Sequence, residues 1–572
     1  MTEPRIVTSP ETVRFPTDPL PEQVDVLVVG AGPSGLGTAL ELGRHGVDVA
    51  VVDAATEATL ARAGAFSHSP RTVEVFRQWG VVDRIRKGWT FPPEWNRGTL
   101  LITSLAGHRL DGSSSRGFAP GSAGPYSAER AIRRPQTVLQ HVFLGELAAR
   151  GIPVSARHRL VALRDGADGI EADLESGDGG VRTVRARYVV GADGSRSTVR
   201  SLAGITRSGE YATERHFRVV VRTRGDLTDS VGRFPSATNI VYNAEYTGFL
   251  AALNATDWRI HVGPFPLDHS PTEEEFLRAG RIAFGSDIEL EVASVTPFFK
   301  STRLADRFRH GHVLLVGDAA HVRTPGGNLG EGFGDVLNLG WKLAAVLDGS
   351  AGEALLDSYD EERRPHNARV GDNAFRRARA ETERWHRIRE IGVPDDADLG
   401  EEARAARAAI GTILAEEREW APGVTFDERY DRSSAIWYDD DADAEVGADP
   451  WDPMVYREDG RPGHRAPNGD VDPYGDTLYD RIGSHPVLLI LSDAAAGVVP
   501  GFRAAAEERG IPLDVVHLDE PDARERYGAE AALVRPDHHV AWRSGAVPAD
   551  PGSVLDRVFG RVSVREPVPV GR

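Results

Sequence analysis

The sequence predicts an α/β protein: a doubly wound, mostly parallel sheet, interrupted by an inserted antiparallel sheet and followed by a C-terminal α/β unit. Three observations predict it. A Val-rich strand, a glycine turn and a helix occupy Val24 to His45, and Val47–Val52 completes a βαβ unit. From about Thr206 to Pro297 the texture changes to short strand-like runs that suit antiparallel pairing. The α/β pattern then returns with a buried strand at His312–Val316 and the helical stretches behind it.

The elements follow in order. Residues 1–22 read as a polar lead-in, Thr72–Gln78 and Gln136–Ala149 as helices, and Tyr188–Val190 as a short strand. The inserted sheet takes Phe217–Val221, Asn239–Tyr242, Phe249–Leu253 and Trp258–Val262. A Gly-rich loop then leads to a helix from about Asp335 to Leu347, and Tyr359–Arg379 is a charged helix. The acidic, Ala-rich stretch 395–419 reads as a boundary. Beyond it, Val487–Leu491, Leu513–His517 and Ala531–Arg535 are strands and Phe502–Glu508 a helix of a separate unit. The expected domains are 21–205 (first part of the nucleotide-binding domain, with some strands of the inserted sheet), 206–299 (the sheet), 300–395 (second part) and 420–572. A chain of 572 residues needs that many cores.

Composition narrows the function. With 40% hydrophobic and 27% charged residues the chain is globular. A formal net charge of −19 argues against nucleic acid and against anionic lipid surfaces. No cysteine is present, so disulfides, thiolate nucleophiles, Fe–S clusters and Cys-ligated zinc are excluded, and no metal is expected. The first twenty residues carry Pro, Glu and Asp, and no apolar run approaches a membrane span. A cytoplasmic protein without membrane partners is the expectation.

Gly30-Ala31-Gly32-Pro33-Ser34-Gly35 follows a strand and opens a helix, as a dinucleotide-binding turn must. Gly30 allows the tight turn, Gly32 lets backbone approach a pyrophosphate, and Gly35 lets helix and strand pack closely. The helix N-terminus offers unpaired N–H groups to phosphate. Asp53, 23 residues after Gly30, is placed to accept hydrogen bonds from ribose hydroxyls. This fingerprint alone does not separate NAD from FAD.

Two later segments do. Gly191-Ala192-Asp193-Gly194-Ser195-Arg196 and Leu315-Val316-Gly317-Asp318-Ala319-Ala320-His321, with Pro325 and the run Asp335–Leu343 behind them, resemble the ordered motifs of class A FAD-dependent aromatic hydroxylases, the p-hydroxybenzoate and phenol hydroxylase-like family. The resemblance implies FAD as cofactor. It places Asp193 where FAD and NAD(P)H phosphates pass, and Gly317 and Asp318 at the ribityl chain. Arg62 and Gln136 fall at flavin contacts, Pro325 lines the flavin face, and Leu329 and Gly330 lie near the pyrimidine edge. The run Gly326–Gly334 is shorter than the family's usual one, with Gly330 where Asn is frequent, which leaves those last contacts open. His321 is read as structural. No side chain is assigned as catalytic, because the family does its oxygen chemistry on the flavin.

The implied reaction is that of a monooxygenase. NAD(P)H, a transient co-substrate since only one dinucleotide fingerprint exists, reduces FAD; O2 then forms a C4a-hydroperoxyflavin that hydroxylates an electron-rich aromatic. Phe249, Trp258, Phe298 and Phe299 are candidates to line the substrate. Gly332-Phe333-Gly334-Asp335 and the overall length resemble hydroxylases that tailor aromatic polyketides in antibiotic biosynthesis, of the tetracenomycin type. A Baeyer–Villiger or epoxidising enzyme on the same scaffold is the alternative, and a flavin-containing protein that sequesters its ligand is the alternative of another class. Gly463–Pro467 and Val534–Arg543 resemble the thioredoxin-like appendage of the phenol hydroxylase branch. Without C-x-x-C that unit serves structure or assembly. Substrate identity, oxygenation site, NADH against NADPH and oligomeric state, a homodimer included, stay open.

Overall fold

Strand β1 (Gln23–Val29) lies inside a mainly parallel sheet, which is why its interior is an almost unbroken run of Val and Leu. The computed structural model describes residues 12–59, 67–110, 126–166, 169–210, 214–225, 227–233, 235–323, 328–416, 421–439, 450–469, 477–518, 522–544 and 550–561. Helix α1 (Pro33–Arg44) connects β1 to β2 (Val49–Asp53). Helix α2 (Pro70–Gln78) starts at Ser69, whose hydroxyl accepts the Thr72 N–H, and α3 (Gln136–Ala149) follows. β3 (Val181–Gly191) pairs in parallel with β1 on one side and with Val313–Leu315 on the other, while β2 pairs in parallel with Val154–Ala156. Phe76, Trp79, Phe143 and Phe333 meet edge to face where these helices pack, with Phe76 and Phe333 centroids 5.3 Å apart.

The inserted sheet has six strands in the order Leu290–Phe298, Glu214–Thr223, Asp257–Pro266, Thr247–Ala252, Thr238–Tyr242 and Thr99–Ile102. All pairs are antiparallel except the last, in which Thr99–Ile102 from the first segment of the chain runs parallel to Thr238–Tyr242. Its helix, Glu273–Phe284, opens with a capping box between Thr272 and Glu275.

Several elements differ from the sequence reading. Tyr188–Val190 is the end of an 11-residue strand whose outer half pairs antiparallel with Gly169–Ser176. That half has one face in solvent and carries Arg182, Arg185 and Arg187, which hid it. The Gly-rich run expected as a loop is helical from Asn328, so Leu329 and Gly330 sit in the first turn of α4 (Asn328–Leu347). A Cβ on Gly332 would lie 2.7 Å from Ser34 Oγ and 3.2 Å from Gly317 Cα; glycine here lets three motif segments meet. Helix α5 is longer than expected, Asp357–Ile391. The stretch read as a boundary holds α6 (Glu401–Ala415), whose Ile410, Ile413 and Leu414 pack with Leu101, Tyr242 and Ile388.

The C-terminal sheet runs Asp514–His517, Val487–Ile490, Ala531–Val534, Val540–Arg543, parallel in its first pair and antiparallel in the others. With Val499–Arg509 and Pro551–Val558 this is a thioredoxin-like arrangement. It is not a separate body. Its apolar cluster takes in Trp341, Ala345 and Leu355, and Arg465 bonds Glu74 of α2 at 2.9 Å. Among the described residues no helix is long and apolar enough to cross a membrane.

Candidate cofactor and substrate site

The carboxyl ends of β1, β2, β3 and Val313–Leu315 bring Gly30, Asp53, Ala192-Asp193 and Gly317-Asp318 to one edge of the sheet, where ligands of open α/β folds bind. Gly30 has φ +113°, and a Cβ on it would stand 2.4 Å from the Ala192 carbonyl oxygen, so the first two motifs interlock there. Gly35 packs directly on Gly30 as the spacing predicts. Gly32 differs. Its φ is −69°, and a Cβ would meet no atom within 4 Å.

Gly32 opens onto a cavity of about 180 Å³ lined by Ala31, Asp53, Gln136 and Gln140 among others. Helix α1 begins beside it with Pro33 in its first turn and no side-chain cap at Gly32, so its first-turn N–H groups have no side-chain acceptor there. Gln140 donates to the Ala31 carbonyl at 3.1 Å and steadies the turn. Both Asp53 oxygens already accept backbone N–H groups, Ala31 at 2.6 Å and Ala55 at 2.7 Å, but each keeps a second lone pair for a ribose hydroxyl.

Asp193 caps the short helix Thr198–Leu202, accepting the Thr198 and Val199 N–H groups at 2.6 and 3.1 Å. Its other oxygen is buried without a hydrogen-bond partner, and burial raises the carboxyl above its usual range. Arg200 ties this loop to the Gly-Asp turn by bonding the Ala319 and Ser195 carbonyls at 2.8 and 3.2 Å. Asp318 is exposed at the sheet edge, yet desolvation by the surrounding protein pushes its carboxyl up. It accepts from Asn328 Nδ2. His321, 5% exposed, bonds Asp335 at 2.7 Å and Asn328 at 2.9 Å. Burial alone would lower its pKa, but the Asp335 carboxylate holds it above the ordinary value. Arg62 and Pro325 lie outside the described residues.

The inserted sheet turns one face to the Gly-Asp turn. Pleat alternation puts Phe217, Val219, Val221, Trp258, Ile260 and Val262 on the other face, in an apolar core. Trp258, fully buried against Trp95 and Phe284, is therefore core and not a substrate contact. The site face carries His216, Arg218, Arg259 and His261. Arg218 sits directly across from His261 and within electrostatic reach of Asp318. Phe298 stacks on His216 at 5.3 Å under the Arg218 guanidinium, and Phe249 lies 5.2 Å from His261. Phe299 is exposed. Burial, then the Arg218 charge, lowers the pKa of Arg259 to about 9. Burial brings His216 to about 4, and His261 lies well below its ordinary value; its Nε2 is buried and unpartnered. Part of the pattern of this face lies in the sequence: His216 and Arg218 share one parity, and Phe217, Val219 and Val221 the other.

Fold and site define a dinucleotide-dependent enzyme with a phosphate-binding helix in one sheet and a cationic, aromatic floor in another. Residues 23–374 match the FAD binding domain family, and residues 459–562 match the aromatic-ring hydroxylase C-terminal domain. The chain belongs to the FAD-binding aromatic-ring hydroxylases and is an FAD-dependent aromatic monooxygenase, as its motifs imply. Similar proteins include 4-methyl-5-nitrocatechol 5-monooxygenase of Burkholderia sp (32% identical, 95% of this chain and 98% of that one). Aklavinone 12-hydroxylase of Streptomyces purpurascens is 31% identical over 94% of this chain and 99% of its own. Tetracenomycin A2 monooxygenase-dioxygenase of Streptomyces glaucescens is 30% identical over 95% and 98%. Among solved structures, RebC with bound 7-carboxy-K252c superposes with TM-score 0.82 (30% identity, 95% and 100% covered). Aklavinone-11 hydroxylase with FAD and aklavinone gives 0.76 (29%, 95% and 100%).

Proposed function

We propose that this enzyme hydroxylates a polycyclic, electron-rich aromatic of the polyketide kind, with NAD(P)H and O2 as co-substrates. The observation that carries the reading is the pairing of the cofactor edge with a cationic, aromatic sheet face on which Arg218 looks toward Asp318. Relatives named for aklavinone and tetracenomycin support the substrate class. FAD, when bound and reduced by NAD(P)H, supplies activated oxygen for insertion into the ring.

The residues present fit that cofactor. The open space at Gly32 admits a pyrophosphate beside the uncapped helix start, and Asp53 and Gln136 face the same cavity. The buried, unpartnered oxygen of Asp193 keeps its acceptor capacity unused. Asp318, next to Gly317, accepts from a ribityl hydroxyl. The first-turn N–H groups of α4, Leu329 and Gly330 among them, have no intrahelical acceptor and are offered to the pyrimidine edge. Arg62 and Pro325 complete the set by position in the sequence. Opposite them, Arg218, Arg259 and the neutral His261 hold an ionised ring hydroxyl, while Phe249 and Phe298 supply flat apolar contact.

A panel of hydroxylated polycyclic aromatics, scored for NAD(P)H oxidation and product mass, tests this. Substrate-dependent oxidation with one oxygen added to a ring is expected. A lactone or epoxide product, or tight binding without turnover, would replace the reading.

A further inference from the structure

We infer that Glu428, on the segment that follows α6 and leads into the C-terminal unit, is a positioning residue for the cofactor, acting through a buried relay that ends at Asp318. This rests on the reading of Asp318 as a cofactor acceptor.

The relay is continuous. Glu428 accepts from Arg363 Nη1, and on its other oxygen from Arg71 Nη2 at 3.2 Å. Arg363, fully buried in α5, donates from Nε to Asp335 at 2.9 Å. Asp335, in α4 and also fully buried, accepts the Gly317 N–H at 3.0 Å and binds His321 Nε2 at 2.7 Å. His321 Nδ1 meets Asn328 Oδ1 at 2.9 Å, and Asn328 Nδ2 donates to Asp318.

The orientation assigned to the Asn328 amide sets the hydrogen-bond directions along this path. Asn328 Nδ2 donates to both Asp318 and the His321 carbonyl, so Asn328 Oδ1 must accept, and His321 Nδ1 must carry a proton. His321 Nε2 faces a carboxylate and carries one as well. The ring is therefore an imidazolium held between Asp335 and Asn328. Arg363 competes with His321 and the Gly317 N–H for the charge of Asp335. Of two further carboxylates that balance Arg363, Glu331 lies 3.4 Å away and Glu428 is the nearer. Without that negative charge the guanidinium draws Asp335 onto itself, and both the Gly317 turn and the Asn328 amide lose their fixed reference. Asp318 is the next residue along the chain from Gly317, so its carboxylate moves with the turn. The C-terminal part of the chain, which has no thiol, thus contributes to the cofactor site by charge.

The test is the dissociation constant of FAD for the full-length chain in a double-mutant cycle. Glu428→Gln is expected to weaken FAD about tenfold in the parent and to add nothing in an Asp318→Ala background. A merely structural role would give the same factor in both backgrounds and overturn the proposal. So would a folded Glu428→Gln protein with parental affinity while Asp318→Ala loses it. Should Asp318→Ala itself bind like the parent, the cofactor reading of Asp318 fails instead. If Glu428→Gln does not fold, Glu428→Asp keeps the charge on a shorter arm; intermediate FAD affinity is expected, and parental affinity overturns the proposal.

Discussion

Arg535 and Glu362, 173 residues apart, meet as a fully buried bidentate pair, Nη1 to Oε1 at 2.7 Å and Nη2 to Oε2 at 2.8 Å. Arg535 comes from the thioredoxin-like unit and Glu362 from α5. Asp537 shares the guanidinium at 3.0 Å, and Lys342 shares the glutamate at 2.7 Å. Removing one member leaves its partners charged and dry. Arg535→Met should cost about 3–5 kcal/mol, read as a shift of the urea midpoint, or leave the chain insoluble. An unchanged midpoint would mean that the interface carries no net electrostatic weight.

Gly32→Val separates folding from cofactor binding. The protein itself has space at this position, so its melting temperature without FAD should match the parent's within a few degrees. The added methyls would occupy the space assigned to the pyrophosphate. Protein purified without yellow colour, and staying colourless when titrated with FAD, is the expected result. Normal flavin content in Gly32→Val would move the phosphate site elsewhere.

Trp258 and Arg218 lie on opposite faces of one sheet, and their variants should behave oppositely. Trp258→Ala empties a core position and should destabilise by about 3–5 kcal/mol without touching the FAD dissociation constant. Arg218→Met should leave stability near the parent's and raise KM for a phenolic substrate about tenfold or more, the worth of a charge-assisted hydrogen bond. Steady-state kinetics beside urea titrations decide it. A Trp258 variant with raised KM and intact stability would reverse the faces.

His321 gives the stability curve a slope on the alkaline side. Its surroundings are Asp318, Asp335 and Glu331, with Arg323 on its own strand and Arg363 from α5. Burial opposes the charge, but the carboxylates prevail and place the folded pKa above the unfolded value of 6.5. A raised pKa adds stability that is complete below 6.5 and is lost as pH rises through the folded value. Urea midpoints of the parent should fall toward those of His321→Gln as pH rises from 6.5 through the raised folded value. Parallel curves would show that the ring does not titrate there.

What was legible in the sequence depended on range. The turn at Gly30, the acid at Asp53 and the Gly-Asp strand end are local patterns, because a phosphate site is built from one strand, one turn and one helix start. Asp335 stood in a recognised motif, but its link to Arg363 and Glu428 was invisible for the opposite reason. Successive partners are separated by 28 and 65 residues, and a charged helix such as α5 looks solvated until another layer covers it. Trp258 was chosen as a substrate contact by residue type. Its neighbour Arg259 faces the site, since parity in a strand outranks chemistry. The Gly332 region was read as a loop because glycine suits turns; close helix contact suits it equally.

The lateness of Arg465 and Arg535 has a consequence for synthesis. Glu74 lies 391 residues before Arg465, and Glu362 lies 173 before Arg535. At about 5–20 residues per second, roughly twenty to eighty seconds separate the synthesis of Glu74 from that of Arg465, its closer arginine partner. During that interval the growing nucleotide-binding half holds carboxylates destined for burial that have only part of their final cation set, Arg71 beside Glu74 and Lys342 beside Glu362. Those groups keep water in the unfinished interface. Emergence of the last hundred or so residues is then the step that closes it.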